Sequence, residues 1–163
     1  MKISDSDRFW SKVIKGPLAS DCWLWTGAVA DDGYGRFWVK AGHGQRVIRA
    51  HRFAYQDLTG ELLGRDLLLM HGCDVPLCVR PAPVPGSGDG RHVAVGTVAG
   101  NNLDRSMKLR HANAHSLSWR GDRKQNFAAR SRALRDALNT HGWDEPLIRP
   151  LLGGQDPDAP TLF

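Results

Sequence analysis

The stretch LLLMHGCDVPLCVRP, residues 67–81, decides how the chain is read. Its opening, Asp66 to Met70, is a compact apolar run of strand length, so it reads as a buried strand that delivers His71 at its end. Cys73 and Cys78 follow at once. Thiolates separated by four residues in a loop can converge on one tetrahedral ion, and Zn²⁺ would then want two further ligands. Cys22 and His92 are the best candidates because each opens a strand; His111 and His115 compete for the fourth place. The alternative is that the thiols are simply buried as small apolar groups. Three cysteines cannot all pair with one another, and an intracellular chain is a poor place for structural disulfides.

Downstream, Pro81 to Gly90 is loop by composition, His92 to Thr97 reads as a second strand, and a helix runs from Val98 to about Leu109. Strand, loop, strand and helix therefore follow one another between residues 67 and 109. Asn101 and Asn102 fall in the first turn of that helix, where amide oxygens suit a hard cation such as Mg²⁺ and the helix terminus suits phosphate. A lone His on an apolar strand is more often a satisfied core residue; this neighbourhood is what singles out His71.

Upstream, a short helix is expected from Asp5 to Lys15, capped by Asp5 or Ser6, with Phe9, Trp10, Val13 and Ile14 on one face. Cys22 to Ala28 and Tyr34 to Lys40 suggest a hairpin about the turn Asp31-Asp32-Gly33, and Gln45 to Ala50 a third strand after Gly42 to Gly44. Along the second strand Tyr34, Arg36, Trp38 and Lys40 share one basic, aromatic face. Core packing is the competing reading for Trp38. A helix from His51 to Leu58 would turn Phe53, Ala54 and Leu58 inward, with Thr59-Gly60 closing it.

Composition sets the outer bounds. The 163 residues amount to about one core, and 41% hydrophobic with 24% charged content is ordinary for a soluble fold. No window approaches a membrane span, and MKISDSDRFW carries acids where a signal peptide would be apolar, so a cytoplasmic protein is expected. The net +5 is unevenly spread: Arg105 to Arg135 holds nine bases and one acid, Asp122, which is +8 and leaves −3 elsewhere. A solvated helix face would intersperse Glu among its Lys and Arg, so this segment points to a polyanion partner. A basic helix is expected over Gln125–Leu138, with Phe127, Leu134 and Leu138 as apolar contacts. The end, Gly153 to Phe163, reads as a disordered tail.

The runs LLLMHGCDVPLCVRP and HVAVGTVAGNNLDR resemble the HNH endonucleases of the ββα-metal superfamily, in the branch close to the His-Cys box homing endonucleases. That family has a His-x-Cys-x4-Cys core, a later zinc-binding His and an Asn nine residues after it, which here fall on His71, Cys73, Cys78, His92 and Asn101. CWLWTGA, GYGRFW and AHRFAY resemble its N-terminal part, in which an early Cys, matching Cys22, completes the zinc site. The resemblance covers about residues 8 to 110. Two positions depart from it: Arg80-Pro81 stands where the family has Asn-Pro, which would loosen the turn, and a loop insertion precedes His92.

The resemblance implies an α+β fold: a small N-terminal antiparallel sheet, a zinc-stabilised ββα-metal (HNH) unit and a C-terminal basic helix. The expected organisation is a nuclease domain over 1–110, a basic helical DNA-binding extension over 111–152 and a tail over 153–163. The implied activity is phosphodiester hydrolysis in double-stranded DNA by a phage, mobile-element or restriction-like enzyme. His71 would be the general base, Asn101 would hold Mg²⁺, for which Mn²⁺ would substitute, and the zinc held by Cys22, Cys73, Cys78 and His92 would be structural. DNA contacts are expected from Arg36 and Lys40 on the strand face, from Arg49 and Arg52, and from Arg105, Lys108, Arg110, Arg120, Arg123, Lys124, Arg130 and Arg132. A homodimer would suit two cuts on a duplex. Ala159 to Phe163 resembles, weakly, the Leu-Phe motifs that dock on bacterial sliding clamps. The rivals are a zinc-supported DNA-binding module without cleavage and a protein that binds or cuts RNA.

Overall fold

The structure, a computed structural model, describes residues 3–64, 67–82, 92–107 and 117–153, with the backbone alone at 105, 117–125 and 153. The expected first helix is shorter. Helix α1 spans Asp5–Trp10, and Ser4, not Asp5 or Ser6, is its cap: the Ser4 hydroxyl accepts the Asp7 N–H at 3.0 Å. Asp5 and Asp7 then sit in the first turn, where the helix dipole favours negative charge. The β-branched pair Val13-Ile14 leaves the helix for strand β1 (Val13–Lys15), antiparallel to β2 (Trp23–Trp25) with Val13 opposite Trp25.

Strand β2 is therefore taken, and the expected hairpin between Cys22–Ala28 and Tyr34–Lys40 survives only as a bridge between Val29 and Gly35. The reason is the Trp25 indole, which lies against the returning loop. A Cβ on Gly35 would stand 2.5 Å from Trp25 Cδ1 and 2.9 Å from the Ala50 methyl. The true hairpin is β3 (Arg36–Ala41) with β4 (Gly44–Arg49), turning at Gly42, whose φ of 55° suits glycine. Helix α2 (Ala50–Thr59) ends on Gly60 in the left-handed region, as its sequence predicts. Phe53 and Ala54 turn inward; Leu58, expected there too, is half exposed.

The segment that carries His71 forms β5 (Leu68–His71), antiparallel to β6 (Val93–Gly96), with His71 opposite Val93. Helix α3 (Val98–Met107) follows at once, so strand, strand and helix occur in the expected order. The basic helix is longer than expected: α4 spans Leu117–His141. A fifth helix, α5 (Glu145–Gly153), was not read from the sequence. The chain is thus mixed α+β, with three two-stranded antiparallel sheets among the described residues.

An aromatic cluster centres the core. Phe9, fully buried, stacks on Trp25 at 4.8 Å between ring centres and meets Phe37 at 5.1 Å and Phe53 at 4.6 Å. Leu134 and Leu138 of α4 and Ile148 of α5 join the same cluster as Leu24, Leu77 and Cys78. The C-terminal helices therefore share the core on which the cysteines sit.

Candidate metal and catalytic centre

The loop after β5 and the start of β2 bring Cys22, Cys73, Cys78 and His92 together, their ligand atoms all within 4.8 Å of one another. Cys78 and Cys22 Sγ lie 3.5 Å and 3.6 Å from His92 Nδ1. In a tetrahedral zinc site with Zn–S near 2.3 Å and Zn–N near 2.0 Å, a sulfur–nitrogen edge is about 3.5 Å, so the donor set fits that ion. His92 Nε2 faces the Ser20 carbonyl at 3.1 Å; donation there leaves the Nδ1 lone pair directed at the thiols. Cys3His is thus a group that can hold a metal such as zinc. His111 and His115, the competing fourth ligands, lie outside the described residues.

Without a cation the three thiols cannot ionise together. Hydrogen bonds with Cys22 and Cys78 hold Cys73 far below the usual thiol range, burial pushes Cys78 well up, and the bond to Cys73 pushes Cys22 up. A divalent cation would draw all three toward thiolate. Arg80 braces this knuckle instead of loosening it. Buried beside Trp23, it donates to the Asp21 carbonyl at 2.7 Å. Asp74, between the cysteines, adopts a φ of 57° and its carbonyl accepts from Arg130 of α4 at 3.3 Å.

His71 ends β5 beside this cluster. Both of its ring nitrogens are buried and meet no nitrogen or oxygen partner, the imidazole instead lying against the Cys73 thiol, which it helps hold down; Nδ1 of His51 is also buried without a partner. The two imidazoles meet edge to face at 4.7 Å, and the Tyr34 ring lies 5.5 Å from His51 and 5.6 Å from His71. Burial first, then the charges of His71, Arg49 and Arg52, holds His51 well below the usual imidazole range. Sequence reasoning missed His51 and placed Tyr34 only on a strand face. They stand 20 and 37 residues before His71, and no local pattern joins them. Asn101 lies in the first turn of α3, partly buried, its backbone N–H donating to the Thr97 carbonyl at 2.9 Å.

The expected DNA-contacting residues divide by what they touch. Arg36, Trp38 and Lys40 face solvent on β3, and Trp38, half exposed, is not a core residue. Arg36 stands directly opposite Arg49, a like-charge pair. Arg49 pairs with Asp32 at 2.8 Å and lies over the Tyr34 ring at 4.6 Å. Arg52 is committed elsewhere: its guanidinium donates to the carbonyls of Leu63, Gly64 and Leu67. Arg132 pairs with Asp31 at 3.2 Å. Arg105, Arg120, Arg123 and Lys124 ride on helices whose backbone is described; Lys108 and Arg110 lie outside the described residues, as does the expected tail with its clamp-like motif except for Gly153, which ends α5. Among the described residues no helix is long and apolar enough to cross a membrane.

No family model matches the chain, and no solved structure does. The chain is 30% identical over 100 residues to Protein 2.8 of Escherichia phage T7, a match covering 61% of this chain and 60% of that protein. It is 32% identical over 114 residues to Protein 7.7 of the same phage, covering 70% of this chain and 77% of that one. With that identity over that share of both chains, it belongs to the family of Protein 7.7 of Escherichia phage T7.

Proposed function

We propose that this protein is a metal-dependent endonuclease of the HNH type that hydrolyses phosphodiester bonds in double-stranded DNA. The observation that carries it is the order β5, β6, α3 beside a Cys3His group drawn from the chain between β5 and β6 and from Cys22, with His71 on the first strand and Asn101 in the first helical turn. His71 takes a proton from the attacking water as general base, backed by the buried imidazole of His51. The Asn101 side-chain oxygen would be the protein's ligand for Mg²⁺, with Mn²⁺ as a substitute. Bound there, that ion would offset charge on the departing 3′ oxygen. The cysteines and His92 would hold a zinc by four protein ligands, leaving it no place for water, so its part would be structural. Arg36 and Lys40 contribute phosphate contacts on the outer face of β3, and a homodimer would present two such centres to a duplex.

The second reading is a zinc-supported DNA-binding module without cleavage, and the burial of both His71 nitrogens favours it. Plasmid cleavage with Mg²⁺ or Mn²⁺ decides between them. Wild type is expected to nick or cut, and His71→Ala to bind DNA while losing at least about 10²-fold in rate, the lower range of base catalysis. Equal cleavage by both proteins removes the base; cleavage by neither leaves the binding module.

A further inference from the structure

We propose that Trp38 is a stacking platform for an unpaired base, so that the outer face of the β3–β4 hairpin takes DNA carrying a gap, a bulge or a branch in preference to intact duplex. This rests on the reading that the face meets DNA and asks nothing of His71. Strand alternation puts the ring there: Phe37 and Val39 turn into the core, so Trp38 turns outward, where it is 50% exposed. The other tryptophans whose side chains are described are all engaged. Trp10 and Trp23 meet edge to face, Lys15 lies over the Trp23 ring at 4.0 Å, and Trp25 stacks on Phe9. The indole N–H groups of Trp10, Trp25 and Trp143 donate to Asp57, Ala28 and Glu145. Among the described residues the Trp38 indole has no ring, cation or hydrogen-bond partner.

The surroundings of that ring suit a polyanion. Arg36 and Lys40 flank it on the same face of β3, each about 6.6 Å along the strand. Arg49, Val47 and Gln45 of β4 stand opposite Arg36, Trp38 and Lys40, so the face carries three cations and no acid, although Arg49 is tied to Asp32 of the preceding loop. The backbone beneath is fixed on both edges. β4 bonds one; on the other, α1 lends the Arg8 guanidinium to the Trp38 carbonyl and the Asp5 carboxylate to the Lys40 N–H at 2.9 Å. A ring on so fixed a strand has little freedom left to lose on binding.

The shape of the ligand follows from what an indole can read. Intact duplex shows a protein the edges of its bases, while their faces are stacked on one another. An indole has one N–H and a broad π-face, so it reads edges poorly and covers a free base face well. Reaching that face in intact duplex costs unpairing and unstacking, whereas a gap, a bulge or a branch already offers it. Arg36 and Lys40 then take the phosphates on either side of the stacked base. The Arg36 end of the face adjoins the proposed centre, because Arg49 lies over the Tyr34 ring and that ring is 5.6 Å from His71.

The test is binding by the zinc-loaded full chain with no Mg²⁺ or Mn²⁺ added, read by fluorescence anisotropy on an intact DNA duplex and on the same duplex with a single-nucleotide gap. The gapped duplex is expected to bind about tenfold tighter, the scale of a base stacked on an aromatic side chain. Trp38→Phe, which keeps a ring, is expected to retain most of that preference. Trp38→Leu, still apolar opposite Val47, is expected to lose it and to bind intact duplex as wild type does. The fluorescence of 2-aminopurine at the unpaired position is expected to be quenched by wild type and not by Trp38→Leu. Equal affinity of wild type for the two duplexes, or a preference that survives in Trp38→Leu, overturns the platform; tighter binding of the same gapped duplex made of RNA overturns DNA as its ligand. A chain that shows the preference but cuts no plasmid keeps the platform and loses the nuclease, and cleavage without the preference does the reverse.

Discussion

His92 turns Nε2 to the Ser20 carbonyl at 3.1 Å and so presents Nδ1 to the thiols of Cys22 and Cys78. That bond selects the ligating nitrogen before any ion arrives. About one tightly held zinc per chain is therefore expected by metal analysis of the purified protein. Cys78→Ser and His92→Ala should each lose it and lower the melting temperature. Because the ion replaces protons on Cys22 and Cys78, which are both pushed up, affinity should fall as pH falls, and a chelator should melt the protein more readily in mild acid.

Leu138 tests whether the C-terminal helices are part of the body. It is buried in the same cluster as Phe9, Trp25 and Cys78. Leu138→Ala should cost about 2–5 kcal/mol, the range for a large-to-small change in a packed core, in one cooperative transition that includes loss of zinc. An extension packed independently of the knuckle would melt separately and leave the metal bound. Denaturant unfolding followed at a metal-sensitive dye and by circular dichroism distinguishes the two.

His51 sets a pH dependence whose sign is fixed by its burial. Its folded value lies well below the usual imidazole value, so between that folded value and about 6.5 the unfolded chain binds the extra proton. Stability should therefore be unaffected by His51 above about pH 6.5 and should fall as pH drops below it. His51→Gln, which does not titrate, should flatten that limb in melts taken across mild acid, although it forfeits some stability at neutral pH through altered packing against Tyr34 and His71.

What was legible in the sequence was legible for local reasons. Cys73 and Cys78 lie in one loop, His71 and Asn101 at the ends of short elements, and Gly60 closes a helix by backbone conformation alone; the structure bears out those placements. The misses came from tertiary competition. Val13 and Ile14 fit a helix face as well as a strand, and pairing with β2 decided for the strand, which displaced the expected hairpin. Arg80 read as a lost Asn and proved a buried brace, because its partner, the Asp21 carbonyl, is 59 residues away. Arg52 reads as a further phosphate contact from its charge and its place beside the matched segment, whereas its three carbonyl partners are backbone groups of the loop after α2, which no composition reveals. The Tyr34, His51 and His71 cluster belongs to the same class of contact between distant elements.

Cations that face solvent and cations already bonded within the fold should affect DNA binding differently. Each phosphate neutralised by a Lys or Arg contributes about 0.9 to the slope of log affinity against log salt on duplex DNA. Arg36 and Lys40 face solvent on β3, so Arg36→Ala and Lys40→Ala should each reduce that slope by about one with little change in folding. Arg52→Ala should do the reverse. It strips donors from the carbonyls of Leu63, Gly64 and Leu67, and should cost about 1–3 kcal/mol of stability while leaving the slope where it was. Fluorescence anisotropy with a labelled duplex across a salt series, on chains verified as folded and zinc-loaded, measures both. A slope lowered by Arg52→Ala and untouched by Arg36→Ala would move the DNA from the β3 face to the far side of α2.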